Sequence, residues 1–308
     1  MATAPTDVQT PPGEAPLHVS AYEKRKRRTP YWLMLPGGAW LLVFLLMPMG
    51  LLVYTSLQSG GQFSGGFYFA WDFGNYADGI SGYSEQFVRS VVYSATVTLV
   101  ALLLAYPMTY WIAFYGKRWK SSILLLILLP FFVSYVIRTI QWKFLLGDNG
   151  LIFGPLKDWG LLPQDFRVLA TPFAVIAGIT YSYIPFTALP LYVALERIDK
   201  SLVEAAKDLY SSKFQAFRHV VWPLSLPGVF AAFLLTFVPA TGDYVNADIL
   251  GGPGTTMIGN IIQRKYLTEL NYPEAAALSV ILMVAMLILA SIYARILGTE
   301  DETVTAAI

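Results

Sequence analysis

The sequence predicts an all-α membrane protein with six transmembrane helices, and three observations predict it. Only 13% of the 308 residues are charged while 56% are hydrophobic, and the mean hydropathy is +0.53. Soluble domains carry about a quarter charged residues. Six stretches are apolar and long enough to cross a bilayer, which takes roughly 20 residues. The 21 lysines and arginines also segregate: with six crossings, fourteen fall on one side. That side is cytoplasmic by the positive-inside rule, so both termini are inside.

Residues 1–20 are rich in Pro, Thr and Ala, and five basic residues follow at Lys24–Arg28. Residues 1–30 therefore read as a disordered basic cytoplasmic tail touching anionic headgroups. The spans follow as Tyr31–Leu57, Phe87–Tyr115, Ser121–Leu146, Thr171–Leu195, Pro223–Tyr244 and Tyr272–Leu297, all within a permeating domain of residues 31–297. The first exceeds a signal-peptide core in length and lacks a small-residue cleavage site, so it reads as retained. Pro48, Pro107, Pro130, Pro185 and Pro190 fall inside spans, where neighbouring helices re-satisfy the freed backbone groups. Residues 298–308 read as a short cytoplasmic tail.

Between the fourth and fifth spans lies the polar segment 201–220. Ser201 and Glu204 have capping-box spacing, and Leu202, Ala205, Ala206 and Leu209 fall on one helical face. A second helix is expected at Lys213–Val220, with Phe214, Phe217 and Val221 on one face and Pro223 ending it. The result is a helix–turn–helix across the cytoplasmic mouth, or else an amphipathic loop resting on headgroups. Gly251, Gly252 and Gly254 around Pro253 read as a tight external turn, because no helix start is evident after them.

Several chemistries are excluded. The chain has no cysteine and two distant histidines, His18 and His219, so no disulfide, thiolate zinc site or histidine metal pair is available. No phosphate-cradling GxxxxGK[ST] loop occurs. The net charge of +1 gives no field for nucleic acid.

The segment Glu204-Ala205-Ala206, with Val220 and Pro223 at the matching offsets, resembles the EAA loop of permeases of binding-protein-dependent ABC importers. Tyr210 stands where that pattern has Gly, and Trp222 where it has Leu. The stretches Leu103–Ala113, Leu124–Ile152, Thr180–Leu209 and Phe237–Leu267 are similar to the polyamine (spermidine/putrescine) branch. The resemblance implies a type I ABC importer permease fold in a prokaryotic inner membrane. It implies a second homologous permease, two ATP-binding cassette subunits and an extracytoplasmic substrate-binding protein, with ATP and Mg held by the cassettes and no cofactor in this chain. It makes Glu204, Ala205, Ala206, Asp208 and Tyr210 the coupling residues. The loops Gln58–Glu85 and Gly147–Ala170 become candidate contacts for the binding protein.

A polyamine path needs carboxylates and aromatic faces for ammonium groups. Asp243, Tyr244 and Asp248 near the end of the fifth span are the first candidates, followed by Tyr181, Tyr183 and Trp142. Asp243 also reads as a helix-holding partner of Arg138 or Lys143, and the aromatic residues as interfacial anchors. A metal-cation or organic-anion cargo is the alternative. A secondary transporter is a further one, although no ionisable relay or inverted repeat is evident.

Overall fold

The computed structural model describes residues 19–62, 65–210 and 212–305. Two compact units divide it near Leu52. The first contains most of helix α1 (Val19–Ser56), whose apolar part, Met34–Ser56, is long enough to span a bilayer. α1 begins at Val19, so residues 19–30 are helical where the sequence suggests a disordered tail; residues 1–18 lie outside the described part.

The second unit opens with an antiparallel hairpin, β1 (Gln58–Gly61) and β2 (Gly66–Phe69), pairing Gln58 with Phe69. Gly60 sits at φ +103, and a Cβ there would stand 2.3 Å from the Gly66 carbonyl, so only glycine fits. Helix α2 (Gly74–Tyr115) follows, already under way within the expected Gln58–Glu85 loop and kinked at Tyr83. Its buried residues Ser90, Ser94, Val97, Ala101, Ala105, Thr109 and Ile112 recur every three or four positions, which is one helical stripe.

That stripe packs on α6 (Pro172–Glu196) and α9 (Trp222–Thr241), which also pack on each other. Thr171 caps α6 by accepting the Ala174 N–H, and Pro172 at the first turn loses no bond that a helix would make. The α6–α9 crossing is close: a Cβ on Gly228 would stand 2.3 Å from the Ala194 Cβ. Hydroxyls join these helices, Thr187 to Thr236 at 2.7 Å, Thr241 to Ser94 at 2.9 Å and Tyr106 to Ser225 at 2.8 Å. Small residues and hydroxyl pairs hold helices together where lipid removes the hydrophobic drive.

Two further departures from expectation fall at prolines. Ser121–Leu146 is not one continuous helix. It is α3 (Lys120–Leu128), a 3₁₀ turn at Leu129–Phe132 and α4 (Tyr135–Leu145), with a 92° bend between the halves. Pro130 removes an N–H, and Val133 and Ser134 are extended, so the ladder cannot continue. Pro223 does the reverse of what is expected. α8 (Lys213–Ala216) runs through a π turn at Phe217–Val221 into α9 without a break. The Trp222 N–H bonds the Phe217 carbonyl, five residues back, so the ladder is re-spaced just before the proline ring.

α5 (Phe153–Asp158) lies within the Gly147–Ala170 loop. The remaining helices are α7 (Lys200–Tyr210), α10 (Tyr244–Leu250), α11 (Ile258–Leu267) and α12 (Tyr272–Thr305). α11 starts four residues after Gly254, so a helix start does follow the glycine turn. α12 runs to Thr305, past the boundary expected for a C-terminal tail. Among the described residues, five helices are long and apolar enough to cross a membrane, or six crossings if the bent pair counts as one.

Candidate functional site

Two sites emerge, one just past the C-terminal end of α6 and one beside its middle, at Tyr183 and Phe186. One is the α7–α8 segment. Asp199 accepts the Ser201 N–H at 2.9 Å, which holds its carboxyl below the usual carboxylate range. Asp199 is thus the cap, and the expected Ser201–Glu204 box is absent from the hydrogen bonds of the described residues. With the cap two residues earlier, Val203 and Ala206 turn inward. Val203 packs among Ala113, Leu195, Ile198 and Val221, with Tyr110 and Phe217 around them.

The expected apolar face is therefore split. Ala206 is buried within the chain, while Leu202, Ala205 and Leu209 face outward beside Glu204 and Asp208. Leu209 is 76% exposed, and Phe214 on α8 also faces outward. Tyr210 closes α7 in helical conformation; its side chain lies outside the described residues. Phe217 meets Tyr106 and Tyr110 edge-on at 5.9 and 5.8 Å, which ties the π turn to α2.

The second site is a cavity of about 1010 Å³ beside the α3–α4 break. The bend aims the first turn of α4 into it, so Phe131, Tyr135 and Arg138 line one wall, and Tyr183 and Phe186 of α6 line another. Leu234, Leu235 and Val238 of α9 complete it. Phe186 meets Phe131 edge-on at 5.1 Å and lies 5.8 Å from Tyr183.

Asp243 stands behind this wall. As N-cap of α10, it accepts the Asn246 backbone N–H at 3.1 Å and the Asn246 side-chain amide at 2.9 Å. The Tyr135 hydroxyl donates to the same Oδ2 that accepts the Asn246 side-chain amide, and itself accepts from that amide at 2.6 Å. Thr139 donates to Asn246 Oδ1 at 3.1 Å, which closes the network. A Cβ on Gly178 would stand 3.0 Å from Asn246 Oδ1, so α6 passes the network closely. Neither Arg138 nor Lys143 forms an ion pair with Asp243 among the described residues. A buried carboxylate with several donors is a satisfied one.

The remaining candidates scatter. Trp142 and Tyr181 pair with each other at 5.3 Å, away from the cavity wall. Asp248 lines a different hollow of about 470 Å³ with Asn260, Gln263 and Arg264. Tyr244 is 44% exposed, and its carbonyl accepts the Asn260 amide at 2.9 Å. Of the six, only Asp243 and Tyr183 gather at this cavity, on either side of Tyr135. Tyr135, Asn246, Thr139, Phe131 and Phe186 are not among the sequence candidates, and Arg138 is there only as a partner for Asp243. The signal that leads to most of them is the Pro-Phe-Phe-Val-Ser run at 130–134, a proline followed by aromatics and a potential cap.

No group of three or more metal-ligating side chains gathers among the described residues. Residues 89–299 match the family of binding-protein-dependent transport system inner membrane components. The spermidine/putrescine transport system permease protein PotB of Haemophilus influenzae is 35% identical over 260 residues, covering 83% of this chain and 90% of that one. The protein of the same description from Escherichia coli K12 is 32% identical over 257 residues, covering 83% and 93%. Among solved structures, a chain of a bacterial alginate ABC transporter in complex with an alginate-bound periplasmic protein superposes with TM-score 0.65. The sequences are 22% identical, and the match covers 89% of this chain and 96% of that one.

Proposed function

The chain belongs to the family of binding-protein-dependent transport system inner membrane components, and we propose that it is the permease subunit of an ATP-driven polyamine importer. It carries out no chemical step itself; ATP is hydrolysed on separate subunits. The observation that carries the cargo is the cavity wall: Phe131, Tyr135, Tyr183 and Phe186 present aromatic faces, and the Asp243 carboxylate lies directly behind Tyr135. Ring quadrupoles attract ammonium groups, and a buried carboxylate raises the local negative potential. Asp243 acts through Tyr135 and not by direct contact. Tyr244, Asp248, Tyr181 and Trp142 then fall outside the first contact layer, as part of the wider path.

The bent pair α3–α4 counts as one crossing, which gives six, with both termini cytoplasmic and the α7–α8 segment inside. That segment meets an ATP-binding cassette through Leu202, Glu204, Ala205, Asp208 and Leu209, with Tyr210 at its end. The exposure of those apolar side chains on a charged helix supports this reading. A second homologous permease completes the pair, and a substrate-binding protein docks on the opposite face, near the 58–69 hairpin and the Gly147–Ala170 loop. Closure of the cassettes pushes α7, and the continuous Lys213–Thr241 helix carries that displacement toward the cavity, alternating its access.

The test is energised uptake of labelled putrescine and spermidine by cells making the complete importer. Uptake of either that requires the cassette subunits supports the reading. A complex whose binding protein stimulates ATP hydrolysis but moves neither polyamine keeps the importer and overturns the cargo. Polyamine uptake that persists without the cassettes overturns the coupling role of α7.

A further inference from the structure

The cavity already holds a cation that belongs to the chain. Arg138 is only 8% exposed, yet it lines the cavity. Its guanidinium carbon stands 5.2 Å from the centre of the Phe131 ring and 5.6 Å from that of Tyr135. Its Nε and Nη1 are buried and have no hydrogen-bond partner, and no ion pair reaches it among the described residues. A buried, unpaired guanidinium is costly, and a buried donor without an acceptor adds to that cost. What offsets it on this wall is two ring faces and, past Tyr135, the Asp243 carboxylate.

Those attractions are the ones a substrate ammonium would use. Two cations cannot share one pair of rings without like-charge repulsion. We propose that Arg138 is a tethered stand-in for the cargo: it holds the Phe131–Tyr135 site in the absence of substrate, and an entering ammonium group displaces it. The inference rests on the cationic-cargo reading above.

Two consequences follow from the chemistry. A small inorganic cation meets an occupied site with a like charge in it. The cargo binds more weakly than the rings alone allow, because only the fraction of molecules with Arg138 displaced is competent. Weak holding suits a conduit, which must release what it takes.

The test is binding of tritiated spermidine to the purified complete importer without ATP or binding protein, alongside uptake. Arg138→Gln is expected to bind about tenfold tighter than wild type, the scale of one lost cation–π competitor. Arg138→Lys, which keeps the charge, is expected to bind as wild type does. The chain has no cysteine of its own, so Arg138→Cys offers a second route if the Gln variant fails to assemble. Its tightened binding should return to the wild-type value on modification with an aminoethyl methanethiosulfonate and stay tight with the neutral methyl reagent. If the wild type transports spermidine and neither neutral variant binds it more tightly, the stand-in role is wrong. If the wild type neither binds nor transports polyamine, the cargo reading falls and takes this inference with it.

Discussion

Pro130 and Pro223 both punctuate apolar stretches, and the chain treats them in opposite ways. At Pro130 the helix stops, two residues become extended, and the next helix leaves at 92°. At Pro223 a π turn re-spaces the hydrogen bonds just upstream, and one helix runs from Lys213 to Thr241. The difference lies in the surroundings. The π turn is braced by Tyr106 and Tyr110 of α2 and by Val203 of α7, so a continuous helix is the arrangement that packs. The Pro130 turn borders an open cavity, with little on that side to hold a straight helix. One proline therefore leaves a stiff connection between a surface segment and the interior. The other makes a fixed elbow that displays side chains.

The sharpest way to break this comparison is at the stiff connection. Glu204→Arg on the exposed face of α7 should lower polyamine uptake by at least about tenfold, since reversing a charge at a protein contact costs several kcal/mol. Membrane fractionation should find the variant at its normal level. Unchanged uptake would mean that nothing is transmitted through α7.

At the elbow, Tyr135→Phe removes a donor to Asp243 and an acceptor for the Asn246 amide. We expect a loss of about 1–3 kcal/mol, the cost of stranding a buried polar partner, read as a lower Tm of the purified complex. An unshifted Tm would mean that the network does not hold the elbow.

Next comes the proline pair itself. Pro130→Ala lets α3 extend and should reduce uptake roughly fivefold, equivalent to about 1 kcal/mol. Pro223→Ala sits in helix already continuous and should change Tm by no more than about 0.5 kcal/mol equivalent, with uptake near normal. Equal damage from both would erase the distinction.

The smallest effect belongs to a region outside both prolines. Lys265 bonds Glu269 at 2.8 Å and Glu274 at 2.9 Å at the α11–α12 junction. The hydrogen bond from Lys265, with help from the charges of Lys265 and Arg264, holds the Glu269 carboxyl below the usual range. The folded form thus binds its proton less readily than the unfolded chain does. The stabilisation is full above the ordinary glutamate pKa and is lost as pH falls through the lowered one. Glu269 is 40% exposed, so the loss should stay under about 1 kcal/mol. Hydrogen exchange of residues 264–274, corrected for intrinsic rate, should rise only in acid.

Most helices were legible in the sequence, because an apolar run of span length leaves few alternatives. α6 and α12 begin within a residue of where hydropathy and caps place them. The break at Pro130 was not legible from the proline itself, which does not differ from Pro107 or Pro190 inside their helices; only the aromatics and the potential cap after it mark the place. Pro185 is buried, and Pro190 lies against the Gly228 crossing, so neighbours hold those helices straight. Such neighbours are tertiary facts. The cavity was hidden for the same reason: Tyr135 and Arg138 matter only once the elbow turns them inward. Asp243 stood out as an acid at membrane depth, yet its cap role depends on α9 ending at Gly242. At α7, Asp199 and Ser201 are both good caps, and packing of Val203 favours the earlier start.

The π turn at Phe217–Val221 has a genetic consequence. A π turn holds one residue more than the α winding around it. Loss of a single codon there would leave an unbroken helix, now α throughout. The π turn absorbs that extra residue locally, so the helix on either side would keep its register, whereas a codon lost from the regular part of α9 would rotate everything upstream by about 100° and draw it in by about 1.5 Å. Only the second kind of allele would turn Leu202, Glu204 and Leu209 away from the side they face now.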